Sequence, residues 1–210
     1  KPVRILHAPS APASKGTQEI RKTLELLKAK GLEFEYTEIS GVGHREVLLA
    51  ISQCDFVIDQ LYSDSLLPSF ATEAASQKKP VIIGGYGLDI VMAVTPDHLI
   101  PPVFYVHPDN IEAAIQTLIN DPKLRVEMGE KLSKFVSENY SPELFVERLV
   151  FLLKGNTPTG FMLSPTSFHY IHGVGMSEER LKNTLIAFFK IYDLEYLGLD
   201  SRPDLLSKIA

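Results

Sequence analysis

The chain has 210 residues, of which 45% are hydrophobic and 22% charged, and its formal net charge is -5. That length allows one sizeable core, or one core with a small appendage. Lysines and arginines are scattered rather than blocked, which argues against a general nucleic-acid surface but leaves room for a small local anion site.

Residues 3–8, VRILHA, are apolar and β-rich and predict a first strand. A proline- and serine-laden loop follows and ends at Lys15 and Gly16. Ile20, Leu24 and Leu27 then recur at helical spacing until Gly31 stops the helix. FEYTEI (34–39) alternates enough to predict a partly covered or edge strand. After Gly41-Val42-Gly43, the segment HREVLLAIS predicts a short helix, and CDFVID another strand with Asp59 at its exit. Cys54, the only cysteine, lies in that apolar stretch and reads as a buried structural thiol. A loop from Gln60 to Pro68 leads into a helix carrying Ala71, Glu73, Ala74 and Ala75. KPVIIGG is continuously apolar, as in a strand buried on both faces of a parallel sheet. PVFYV (102–106) predicts the last strand. Asp109 and Glu112 fit a capping box above Ile111, Ile115, Leu118 and Ile119. Two more helices are expected over 123–138 and 141–153, the second opened by Ser141 and Pro142.

Strands alternating with helices of this length predict an α/β fold, an open doubly wound parallel sheet with right-handed crossovers. Its ligand crevice should lie outside the carboxyl ends of the strands. The loops 10–16, 41–44, 60–68 and 84–87 would then share one edge. Beyond Lys154 the rhythm breaks. An aromatic, aperiodic stretch precedes a helix from Ser177 with Leu181, Leu185, Phe188 and Tyr192 on one stripe. The expected division is a ligand-binding domain over 1–153 and an aromatic, helical C-terminal extension over 154–210, packed on the core, a partner or a second copy. The chain reaches a core strand almost at once, which fits a domain taken from something longer. No apolar run has the length that spans a bilayer.

Several loop residues could carry chemistry. Lys15-Gly16-Thr17 sits where the first strand delivers its loop to a helix N-terminus, and free N–H groups there can accept a phosphate. Lys15 adds a mobile charge, Gly16 permits close backbone approach and Thr17 offers a hydroxyl; the plainer reading is a solvated lysine and a helix cap. The Gly41 turn lacks the third glycine of a dinucleotide fingerprint, where Glu46 stands instead, so NAD is not expected. It could bring a base or ribose against backbone, with His44 at its lip or simply facing water. Glu73 could grip ribose hydroxyls, or could reflect only the preference for acids near a helix start. His7 reads as a satisfied interior histidine. The histidine and carboxylate spacings match no metal motif, so neither a metal nor another cofactor is expected.

With Lys15-Gly16, the Gly41 turn, Asp59 and the segment EAASQKKPVIIGG in that order, residues 3–153 resemble the C-terminal domain of retaining GT-B glycosyltransferases, more specifically the GT4-like group 1 family. The resemblance implies a Rossmann-like half of a GT-B fold that binds a nucleotide-sugar donor. Lys15 would be the catalytic lysine on the donor phosphate and Glu73 the ribose-binding glutamate. The turn with Gly41 and Val42 would lie beside the base. Residues 60–70, with Asp64, Ser65 and Phe70, would face the diphosphate and sugar. Two positions depart from the family. Ser10 stands where an arginine is usual, and Ser65, or neighbouring Asp64, where a glutamate engages the donor sugar. The run His7-Ala8-Pro9-Ser10 looks like a first loop that uses backbone groups instead.

The implied activity is sugar transfer from a UDP or GDP sugar, weak without an N-terminal acceptor domain. A non-catalytic nucleotide-binding or assembly domain stays open, and a sugar-nucleotide epimerase-like domain ranks last. A cytoplasmic location is expected, or a peripheral membrane one through the absent domain.

Overall fold

Short apolar segments pair side by side as parallel strands in a five-stranded sheet of order β2-β1-β3-β4-β5. They are β1 (Val3–His7), β2 (Phe34–Glu38), β3 (Phe56–Gln60), β4 (Val81–Gly84) and β5 (Phe104–Val106). The computed structural model describes residues 1–63, 65–157, 178–192, 194–198 and 203–204. β3 and β4 are buried along their whole length, whereas β2 alternates between buried and exposed, as the edge of a sheet should. The β1–β2 register runs from Val3 opposite Phe34 to His7 opposite Glu38. Between β3 and β4 the register slips: Ile58 faces Ile82, but Gln60 faces Ile83. Asp59 is therefore an extra residue, a bulge at the end of the strand.

Helices cover both faces. On one side α2 (Thr17–Ala29) and α6 (Ile111–Asn120) bury Ile20, Leu24, Leu27, Ile115 and Leu118 against Ile5, Phe56, Ile58 and Ile82. On the other, α3 (His44–Gln53), α4 (Ser69–Ser76) and α7 (Pro122–Asn139) bury Ile51, Ala71, Ala74, Ala75 and Leu132 against Leu6, Val57, Val81 and Ile83. The alanines of α4 allow that helix to lie close to the sheet. The C-terminal segments add α8 (Pro142–Leu153) and α9 (Glu178–Phe189). Ser141 caps α8 by accepting from Leu144 N at 3.2 Å, as Ser-Pro at that point predicts.

Three local readings change. The loop after β1 contains a helical turn, α1 (Pro12–Lys15), begun by proline and closed by left-handed Gly16. A short helix, α5 (Leu88–Val94), fills a stretch that periodicity left unassigned, because seven apolar-rich residues are too few to reveal a stripe. Asp109 does not cap α6: Pro108–Asn110 form a 3₁₀ turn, whose cap is the His107 ring accepting from Asp109 N. Proline at the first position of that turn moves the helix start to Ile111. Ser177 and the aromatic, aperiodic stretch before it lie outside the described residues.

Candidate functional site at the β1–β3 edge

All strands are parallel, so the loops after β1, β2, β3 and β4 gather on one edge. The order of the strands reverses between β1 and β3, because β2 lies to one side of β1 and β3 to the other. Ligands of open α/β sheets bind at such a switch point. The residues delivered there are 15–17 from one loop and 59–61 from the other.

Gly16 holds this junction closed. Its φ is +75°, and a Cβ placed on it would lie 2.8 Å from the Leu61 Cβ. Only glycine can take that backbone and that approach at once. The Lys15 carbonyl accepts from Leu61 N at 3.1 Å, tying the two loops by backbone. Beneath them His7 is fully buried. Its Nδ1 lies 2.8 Å from the Ile58 carbonyl, which can only accept, so Nδ1 carries the proton. Nε2 must then accept from the Thr17 hydroxyl, 2.8 Å away. Burial holds the His7 pKa below its ordinary value, consistent with a neutral ring. Thr17, expected to offer its hydroxyl outward, is 1% exposed and spends it inside the fold.

Lys15 reaches across the switch point. Its Nζ donates to Asp59 Oδ1 at 2.8 Å and to Gln60 Oε1 at 2.6 Å. The Lys15 side chain is 20% exposed and that of Asp59 1%. The other carboxylate oxygen, Oδ2, accepts from Ala71 N in the first turn of α4 at 3.1 Å. Pro68, the residue before α4, offers no side-chain cap, and Asp59 supplies one from the strand. The same helix carries Glu73, whose Oε1 lies 2.8 Å from His44 Nε2 at the start of α3. Glu73 remains 30% exposed and His44 67%.

The remaining predicted positions scatter around this edge. Gly41 is exposed with φ +70°, and Val42 is 43% exposed beside it. Glu46, which replaces the fingerprint glycine, accepts from Gly43 N at 2.9 Å and caps α3. Ser10 and Ser65 are both exposed, and Ser65 N donates to Ser63 Oγ at 3.3 Å. Phe70 packs half-buried against the α3–α4 side of the core. Asp64 lies outside the described residues. The structure thus joins Lys15 to Asp59 and Glu73 to His44, both at the carboxyl edge.

Sequence reasoning missed two features here. Gln60 is 5% exposed and shares the lysine, which the polar pair Asp59-Gln60 closing an apolar strand could have signalled. Tyr62 and Tyr86 stack with centroids 6.1 Å apart and planes 2° apart, and His107 meets Tyr86 edge-on at 5.0 Å. These rings follow three different strands, so no local pattern announces them. The two tyrosines border a hollow of about 280 Å³ beside α2 and the start of α6, where Glu19, Asp109 and Glu112 also sit. A second cavity of about 710 Å³ is lined by Leu99, Tyr140 and Phe145 among others and shares only Leu66 with the predicted 60–70 loop. No group of histidine, cysteine and carboxylate side chains able to hold a metal exists among the described residues.

An open parallel sheet with its polar residues at the switch point defines the class: a Rossmann-like α/β protein, the fold of each half of the GT-B glycosyltransferases. Solved structures share it. A single-residue mutant of S. aureus TarM, in complex with fondaparinux, alpha-GlcNAc-glycerol and UDP, aligns with TM-score 0.51 and 17% identity over 71% of this chain and 35% of that one. Anabaena HepE in complex with UDP-glucose aligns with TM-score 0.52 and 13% identity over 74% of this chain and 49% of that one. The chain thus spans less than half the length of TarM and of HepE. By sequence it matches no described protein family and no curated protein.

Proposed function

We propose that this chain is the donor half of a glycosyltransferase and binds a nucleoside-diphosphate sugar at the β1–β3 switch point. One observation carries the reading: a lysine ammonium and a half-exposed carboxylate are set on the same sheet edge by a shared element. Lys15 is anchored to Asp59, and Asp59 in turn caps the helix that bears Glu73. An ammonium there suits a diphosphate, and the carboxylate suits the two hydroxyls of a ribose. The fold match to proteins solved with UDP and with UDP-glucose supports the same ligand class.

In this reading the departing diphosphate gains negative charge as the bond to the sugar breaks, and Lys15 stabilises it electrostatically. Glu73 fixes the ribose and therefore the distance from phosphate to base. The exposed Gly41-Val42 turn flanks the base. Residues 1–153 form the binding unit, with 154–210 as an extension, and a separate domain positions the acceptor. The isolated chain would then bind donor but transfer little.

Calorimetric titration with UDP, GDP and their sugar conjugates tests this. The expected result is binding of at least one, and failure of all of them at millimolar concentration rejects the reading. Glu73→Ala should lower nucleotide affinity at least tenfold while the far-UV spectrum stays the same. A non-catalytic nucleotide-binding domain is the second reading. It is favoured by Ser10 and Ser65, which are exposed where the resemblance places an arginine and a glutamate. Donor binding without transfer, after an acceptor domain is supplied, would select it.

A further inference from the structure

We infer that Asp59 is a positioning residue of this site, acting through Lys15: its carboxylate, with Gln60, fixes the lysine ammonium so that a single N–H is left for a phosphate. The inference rests on the ligand class proposed above and adds to it how the site is set before ligand arrives.

Three observations lead there. The sheet carries an extra residue at Asp59, where Ile58 faces Ile82 and Gln60 faces Ile83. Such bulges re-aim a side chain at the end of a strand. Second, both oxygens of this 2%-exposed residue accept, and from donors on different elements, the Lys15 ammonium and the Ala71 amide. Asparagine could not do the same, because its amide NH₂ would face one of those two donors. Capping α4 alone would need one oxygen, so the second serves Lys15. Third, an ammonium has three N–H bonds in tetrahedral array. With Asp59 Oδ1 at 2.8 Å and Gln60 Oε1 at 2.6 Å, the direction of the third is determined. A free lysine would lose its rotamer freedom on meeting phosphate, and one already held loses little.

The carboxylate also offsets the charge of Lys15, so the site selects a ligand by direction as well as by charge. Releasing the lysine frees its charge yet removes its aim. If aim dominates, affinity falls when Asp59 or Gln60 is changed. If charge dominates, Asp59→Asn raises it.

The experiment measures UDP and GDP affinity of the full chain by titration into the millimolar range, for wild type, Gln60→Leu, Asp59→Asn, Lys15→Met and the two combinations with Lys15→Met. The expected result is a loss of about threefold for Gln60→Leu and at least tenfold for Asp59→Asn. Neither should weaken binding further once Lys15 is methionine. Gln60→Leu keeps the ion pair, so it decides the matter should Asp59→Asn fail to fold. Unchanged or tighter binding in Gln60→Leu overturns the inference, as does an equal loss in the Lys15→Met background, which would mark a structural role. Wild type binding neither nucleotide instead overturns the ligand reading itself.

Discussion

His7 is a residue whose chemistry the fold changes by burial. Its ring is buried between the Ile58 carbonyl and the Thr17 hydroxyl, and burial lowers its pKa from about 6.5. In the unfolded chain the ring takes up a proton near pH 6.5, whereas the folded ring resists it. Its contribution to stability is complete above that value and declines as the pH falls toward the lowered folded value. Thermal midpoints should therefore fall between pH 7 and pH 5, and His7→Gln should flatten the profile; a flat wild-type profile would contradict the buried neutral ring. Gly16 is the second sensitive residue. Gly16→Ala meets both the positive φ and Leu61 at 2.8 Å, so we expect a loss of about 2 kcal/mol or more in urea unfolding. Sequence placed Lys15 and Gly16 where β1 delivers its loop to a helix, but Lys15 ends the helical turn α1, and Glu73, expected near a helix start, is the fifth residue of α4, past its first turn. Sequence could not show that Thr17 turns inward or that Asp59 serves two donors, since those partners lie 10, 44 and 12 positions away in the chain.

Among the elements, α4 is placed by contacts with the sheet, α3 and α7. Ala71, Ala74 and Ala75 are fully buried against the sheet, and Asp59 caps the first turn. The exit from α4 is less favourable. Lys78 adopts φ +57°, a left-handed backbone that a side chain disfavours by about 1 kcal/mol. Lys78→Gly is expected to raise the thermal midpoint by about 2–4 °C, read by calorimetry. α7 crosses the same exit: a Cβ on Gly129 would lie 2.0 Å from the Lys78 carbonyl oxygen. Gly129 within the periodic pattern of 123–138 gave no hint of this approach. The amphipathic spacing of α2 and the apolar run of β4 were legible because each reports only its own local period. α5 was not, because seven residues are too few to show a stripe, and the 3₁₀ turn at Pro108–Asn110 was not, because its proline sets it rather than a stripe.

At the level of the whole molecule, the sheet and its flanking helices bury their apolar faces, but α8 does not. None of its residues is buried; Phe145 is 67% exposed and Leu153 78%. Polar replacements there should leave the core unaffected. Phe145→Ser and Leu153→Ser are each expected to change unfolding free energy by about 0.5 kcal/mol or less, measured by urea titration. A larger loss would mean that α8 is covered in solution. No helix among the described residues is long and apolar enough to cross a membrane. The 710 Å³ cavity beside Phe145 adds apolar surface to the same region.

The sequence by itself determined the α/β class, the parallel sheet and the edge where the loops collect. Those follow from strand and helix periods, which are local, and from the fixed handedness of crossovers. The tertiary structure alone decided the rest: the strand order that puts a reversal between β1 and β3, the bulge that turns Asp59 toward Lys15, and the meeting of His44 with Glu73. Each depends on two segments far apart in the chain arriving within hydrogen-bond reach, and no window along one strand or helix records the residue it will meet.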